Sequence, residues 1–254
     1  MRTPIIFGNW KMNKTIAEAK ELAGSIASRI TTDKIEIGVA PPFTCISAVR
    51  DSIKGSSIHL AAQNVHWEME GAFTGEISPK FAVDSGCDYA IIGHSERRQY
   101  FGETNHIVNK KLKSSLSAGL KTILCVGELL KERDAGKTEA VVGGQIRECM
   151  VGISSSEVRS VVVAYEPVWA IGTGKTATPG QAQEVHSFIR RLLKELYGEE
   201  TSQSLRIQYG GSVKPDNASA LTKEADIDGF LVGGASLKAE SFVEIVEKSL
   251  EVIA

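Results

Sequence analysis

Cysteine is scarce: four residues in 254, at positions 45, 87, 125 and 149, with no C-x-x-C pair among them. Such wide spacing suits neither a disulfide framework nor a zinc knuckle, and a chain this long can bury a large core without staples. Buried thiols in a reducing cytoplasm are the expectation. Long apolar runs are also missing. Nothing approaches the roughly 18 residues of a membrane span, so no membrane partner is expected. The opening segment, Met1 to Gly8, has no apolar centre of the roughly 7 residues that a secretory signal needs. Charge of either sign is not in excess: 29 Lys and Arg oppose 31 Asp and Glu, for a net charge of −2. That excludes a generally basic nucleic-acid binder and leaves room for a local cationic site. His59, His66, His106 and His186 show no metal-ligand spacing, so no metal is expected. Linkers, low-complexity tracts and a repeated sequence period are absent as well.

Short apolar runs recur instead. Strands are expected at Ile5–Trp10, Ile35–Ala40, Ile58–Val65, Tyr89–His94, Lys121–Gly127, Ser160–Glu166, Arg206–Ser212 and Gly229–Ala235. Most are continuously apolar rather than alternating, as strands buried on both faces are, which points to a parallel sheet. Amphipathic stretches lie between them. In Ile16–Ile30, Ala19, Leu22, Ala23, Ile26 and Ile30 share one helical face. Capping boxes are expected at Thr15–Glu18, Thr178–Gln181 and Ser241–Glu244, with Pro179 at a first helical position. Ser78-Pro79 and Lys214-Pro215 mark further helix starts. Eight βα units in about 250 residues close most simply into one (β/α)8 barrel domain spanning 1–254; a doubly wound open sheet is the alternative.

Polar residues and glycines gather at the carboxyl ends of these strands. Asn9 and Lys11 follow the first; His94, Ser95 and Glu96 the fourth; Glu166-Pro167 the sixth. Gly210-Gly211-Ser212 ends the seventh and Gly233-Gly234 the eighth. In a barrel these ends share one rim, where active sites are built. Glycine turns let backbone N–H groups approach an anion, although a tight turn alone would also explain them. Glu166 reads either as a rim carboxylate or as a desolvated general base with a raised pKa. His94 is either structural or, at a helix start that disfavours the imidazolium, a neutral hydrogen-bond donor. Lys11 is either solvated or held ionised by Glu96.

Gly174-Lys175-Thr176 resembles the end of a phosphate-binding G-x-x-x-x-G-K-[ST] loop, but Trp169 stands where the first glycine belongs. Gly172-x-Gly174-x-x-Ala177 fits a dinucleotide fingerprint but does not open directly from its strand. Pro167–Thr176 is long for a strand–helix connection and reads as a lid. Val65–Ser78 is irregular and carries Trp67, Met69 and Phe73. It either folds back on its own barrel or forms a contact surface.

Several of these segments resemble those of the triosephosphate isomerase family, in order along the chain. They are Asn9-Trp10-Lys11-Met12-Asn13, Gly93-His94-Ser95-Glu96-Arg97-Arg98, the run from Ala164 to Lys175, Tyr209-Gly210-Gly211-Ser212-Val213 and the run from Gly229 to Ala235. The resemblance implies a barrel that interconverts dihydroxyacetone phosphate and D-glyceraldehyde 3-phosphate through an enediolate, in glycolysis and gluconeogenesis, without a cofactor. By resemblance Glu166 is the base, His94 polarises the carbonyl and Lys11 stabilises the enediolate. Asn9 positions substrate, and backbone amides of Gly172, Ser212, Gly233 and Gly234 hold the phosphate. The resemblance also implies a homodimer through Val65–Ser78, with Thr74 reaching the partner's site beside Asn9 and Lys11. A different phosphometabolite barrel enzyme would share the glycine turns without needing Lys11, His94 and Glu166 together. A sugar-phosphate sensor would need no base.

Overall fold

The computed structural model describes residues 2–171 and 176–253. Eight parallel strands form a closed barrel in sequence order: β1 (Ile5–Asn9), β2 (Glu36–Ala40), β3 (Ile58–Ala62), β4 (Tyr89–Ile92), β5 (Lys121–Val126), β6 (Val161–Tyr165), β7 (Ile207–Tyr209) and β8 (Gly229–Val232). Closure is made by β1, which pairs with both β2 and β8. Around them run α1 (Ile16–Arg29), α2 (Ile46–Ser52), α3 (Pro79–Asp84), α4 (Ser95–Tyr100), α5 (Asn105–Ser117), α6 (Leu130–Asp134) and α7 (Thr138–Cys149). The ring is completed by α8 (Pro179–Tyr197), α9 (Glu199–Ser204), α10 (Pro215–Thr222) and α11 (Ala239–Ile253). The closed sheet settles the choice against an open one.

Continuous burial hides a period of two. Ile5, Phe7, Ile91, Ile123, Cys125, Val162 and Ala164 form the inner cluster, within the barrel. Their neighbours Ile6, Ala90, Ile92, Leu124 and Val163 belong to the layer between sheet and helices. Gly38 leaves room for this packing: a Cβ there would lie 2.2 Å from the Phe7 ring. Each fully buried Ile or Val contributes about 1.5–3 kcal/mol, so the two layers together dominate the favourable side of folding.

Helix starts follow local chemistry. Glu18 accepts the Thr15 N–H at 2.7 Å. Thr178 accepts from Gln181 N–H, Gln181 accepts from Thr178 N–H, and Pro179 opens α8. Ser78 accepts from Phe81 N–H ahead of Pro79. The box expected at Ser241 does not form, because α11 already starts at Ala239. Ala239 is buried on the same stripe as Phe242, Val243 and Val246, and that apolar contact carries the helix two residues further back.

All four cysteines are buried and unpaired. The segment 65–78 is irregular, as expected, but partly packs on itself. The His66 ring lies 4.0 Å from Trp67 and 4.5 Å from Phe73, centroid to centroid. Trp67 and Met69 are therefore half-buried, while Phe73 remains 42% exposed. Among the described residues no helix is long and apolar enough to cross a membrane.

Candidate active site

The expected second strand ends with β2 at Ala40; the expected first, fifth and sixth strands run one residue past their paired ends, and the third, fourth, seventh and eighth run two or three residues past theirs. Among those excess residues, His94, Glu166, Gly210, Gly211, Ser212, Gly233 and Gly234 line the mouth. Asn9, the last residue of β1, accepts the Lys11 N–H on its Oδ1 at 3.0 Å. Lys11 adopts φ = 51°, a left-handed backbone that a lysine rarely takes. It is held there from the other side by Gln63, whose amide donates to Lys11 O and Ala40 O, both at 2.8 Å. The ammonium that results lies 2.6 Å from Glu96 Oε1.

Gly93 at φ = 68° turns β4 into α4 and delivers His94 as the helix cap. His94 Nδ1 accepts the Glu96 N–H at 3.2 Å. In the neutral imidazole the proton therefore sits on Nε2. That nitrogen lies 2.9 Å from Glu166 Oε1, and Glu166 Oε2 accepts the Ser95 N–H at 2.9 Å. Both side chains are more than nine-tenths buried.

Two expectations about charge are reversed by this pair. Burial does push the Glu166 carboxyl up, as expected, but the facing His94 and the Ser95 N–H outweigh it and hold the group below its ordinary value. Burial likewise opposes a charged His94, yet the Glu166 carboxylate overrides it and raises the imidazole. Both directions express one attraction. A substrate that separates the two groups removes it, and burial then dominates each.

The mouth is a cavity of about 520 Å³ that brings Asn9, Lys11, His94, Glu96 and Glu166 together with Ser212, Gly233 and Gly234. Eight of the expected site residues thus share one space. The ninth, Gly172, lies outside the described residues, as does the centre of the segment read as a lid. Gly210 has a steric role: a Cβ there would lie 2.9 Å from Glu166 Cγ. Leu231 and Ile171 supply apolar wall.

Sequence reasoning missed two supporting residues. Gln63, just past β3, was not singled out. Glu128, two residues past β5, is fully buried and accepts from Tyr165 OH at 3.1 Å, Trp169 Nε1 at 2.9 Å and Arg133 Nη1 at 3.3 Å. It ties the end of β5 to the residues flanking Glu166. Its position, a carboxylate directly after a strand-ending glycine, was the signal that the same rule for the rim would have caught. Among the described residues no three His, Cys, Asp or Glu side chains cluster as metal ligands do.

A closed parallel barrel with ionisable groups and glycine turns converging at the carboxyl ends of its strands defines the class of (β/α)8 barrel enzymes. Within that class the chain belongs to the triosephosphate isomerase family, which it matches over residues 4–249. It is 56% identical over 249 residues to the triosephosphate isomerase of Prosthecochloris aestuarii, covering 97% of this chain and 98% of the relative. It is also 56% identical to that of Moorella thermoacetica, over 246 residues, 97% and 98% of the two chains. The enzyme of Endomicrobium trichonymphae is 54% identical over 250 residues, 98% of this chain and all of the relative.

Proposed function

We propose a division of labour in this cavity for the reaction of the family. The chain is an isomerase that interconverts dihydroxyacetone phosphate and D-glyceraldehyde 3-phosphate through an enediolate. Glu166 removes a proton from the carbon beside the carbonyl and returns it to the neighbouring carbon. His94 donates from Nε2 to the carbonyl oxygen and carries protons between the two substrate oxygens. Lys11, oriented by Glu96, faces the negative charge that develops on the enediolate, and Asn9 positions the substrate. Backbone amides of Ser212, Gly233 and Gly234 hold the phosphate, with Gly172 in the same role from outside the described residues. These roles are the ones general to the family. No cofactor enters any of these steps.

The observation that carries the reading is the buried pair of Glu166 and His94, 2.9 Å apart, in one cavity with Lys11. Substrate entering between them finds a base and a hydrogen-bond donor already in place. Once it has separated the two, burial raises the carboxyl and disfavours the imidazolium, which suits each to its task. The test is a coupled assay for triose phosphate interconversion, in excess chelator and without nucleotide, on the wild type and Glu166→Asp. Withdrawing the carboxylate by about 1 Å should cost on the order of 100-fold in turnover. Turnover within a few-fold of wild type, at equal folding, overturns the assignment.

A homodimer through 65–78 is part of the same proposal, with the whole of 1–254 as one barrel domain in each subunit. Supporting it, Met12 is 95% exposed, Tyr100 74%, Phe101 66% and Phe73 42%, more apolar surface than a monomer usually leaves bare. A second cavity of about 360 Å³, lined by Met12, Phe43, Phe101 and Gln63, adjoins Lys11 and His94 and is of a size to take the Thr74 tip of a second copy. A two-fold contact would exchange both tips. Light scattering near a single 27.3 kDa chain at micromolar concentration refutes the dimer. Buried, unpaired thiols support a reducing, cytoplasmic location.

A further inference from the structure

Besides Lys11 and the roles already assigned, the 520 Å³ cavity has one more charged residue on its wall among the described residues, Lys214. Its backbone is fixed firmly. Lys214 N–H donates to Asn217 Oδ1 at 2.8 Å, and the Asn217 amide donates in turn to Ser212 O at 2.9 Å. Asn217 and Ala218 N–H groups both donate to Lys214 O. One asparagine therefore staples Lys214 to the turn proposed to hold the phosphate. The side chain, by contrast, is exposed, and its ammonium has no ion-pair partner among the described residues.

The charge balance of the cavity gives that free ammonium a task. Lys11 is neutralised by Glu96 at 2.6 Å, and Glu166 is a carboxylate held below its ordinary pKa. With His94 neutral, Lys11, Glu96 and Glu166 present a net charge of −1 to an incoming ligand and Lys214 brings the sum to zero; with His94 protonated Lys214 takes it from zero to +1, so in either state Lys214 adds the one positive charge that no carboxylate offsets. A phosphate monoester is close to a dianion at pH 7, so without Lys214 it would approach a mouth with no net positive charge to attract it.

We propose that Lys214 steers the phosphate dianion into the site and selects for its charge. The inference rests on the isomerase reading above and adds a residue to it. Its contribution is long-range attraction during entry rather than a contact made in the transition state. It therefore acts on kcat/KM and leaves kcat alone. Two negative charges passing about 8 Å from one ammonium in water feel an attraction that alters entry about fivefold at low ionic strength. Salt near 0.5 M screens most of it.

The experiment compares wild type with Lys214→Met, Lys214→Glu and Lys214→Arg at about 10 mM and about 0.5 M ionic strength. At low salt Lys214→Met is expected to lower kcat/KM about fivefold with kcat within twofold. Lys214→Glu should lower it about 25-fold, and Lys214→Arg should restore it. At high salt the gaps should shrink below about twofold. Calorimetric titration with inorganic phosphate should weaken in the same order. That arm uses no turnover, so it judges Lys214 even if the isomerase reading fails, and the wild-type assay judges that reading separately. Equal kcat/KM in Lys214→Met and wild type at low salt overturns the proposal. So does a deficit that persists unchanged in high salt, since a distorted turn would do that.

Discussion

Replacing Glu36 by glutamine should weaken the barrel's floor and leave its mouth untouched. Glu36 opens β2, at the end of the barrel away from the cavity, and is a hub. Its carboxylate accepts from Tyr89 OH on β4, from Arg206 just before β7 and, at 3.2 Å, from Lys121 on β5. The side chain is 15% exposed. Burial pushes its pKa up, but Tyr89, Arg206 and Lys121 together outweigh this and bring it from 4.5 down to about 2. At about 1.4 kcal/mol per unit the displacement is worth about 3 kcal/mol. Screening through the half-exposed Lys121 reduces that to about 2 kcal/mol.

The sign follows from the depressed value. The stabilisation is fully present above the ordinary carboxyl pKa of 4.5 and is lost as pH falls through about 2. Glu36→Gln should then melt about 4–8 °C below wild type at pH 7, at 2–4 °C per kcal/mol for a chain this size. The gap should narrow steadily as the pH is lowered from 4.5 towards 3. Denaturation at fixed protein concentration across that range, with kcat/KM measured at pH 7, is the assay. A gap that stays constant down to pH 3 would refute the electrostatic account. A change in kcat/KM beyond twofold would refute the separation of floor from mouth.

Three further outcomes test the site. Gly210→Ala places a Cβ 2.9 Å from Glu166 Cγ and should cut kcat about 10–100-fold by displacing the carboxylate, whereas Gly234→Ala meets nothing within 4 Å and should cost less than fivefold; equal losses would discredit the steric argument. Gln63→Leu removes the hydrogen bond to Lys11 O and the one that anchors Gln63 to Ala40 O, so kcat should fall roughly 10-fold with little loss of stability, and unaltered kinetics would show that the Asn9 bond to Lys11 N–H alone suffices. ¹⁵N NMR of labelled imidazole should show His94 titrating above the ordinary histidine pKa of 6.5 in the free protein, and lower once an anionic competitor parts it from Glu166; a titration indifferent to the competitor would sink the coupled-pair reading.

The contrast between the barrel and its chemistry shows where sequence reasoning stops. Ile5, Ile91, Ile123 and Val162 fill the barrel and their sequence neighbours face the helices, but both sets are apolar, so burial marks these runs as strands without revealing where pairing ends. The apolar run of strand 4 reads as a strand to His94 although pairing stops at Ile92; Gly93 and His94 stay as buried as the strand before them without pairing. The placement of Glu96, His94 and Glu166 on a common rim needed only topology. Their charge states needed a distance between two strand ends that no local pattern encodes. Glu166 alone at a buried rim would be a raised carboxyl; 2.9 Å from His94 it is a lowered one. Lys11 makes the same point through its backbone. Its left-handed φ is invisible in Asn-Trp-Lys-Met-Asn, and it persists because Gln63, 52 positions away, reaches back to the Lys11 carbonyl. Glycine at position 11 would take that conformation freely but would carry no ammonium. The chain keeps lysine there and supplies the missing conformational preference from β3, so the strain at the mouth is offset by a neighbouring strand rather than by the residue that bears it.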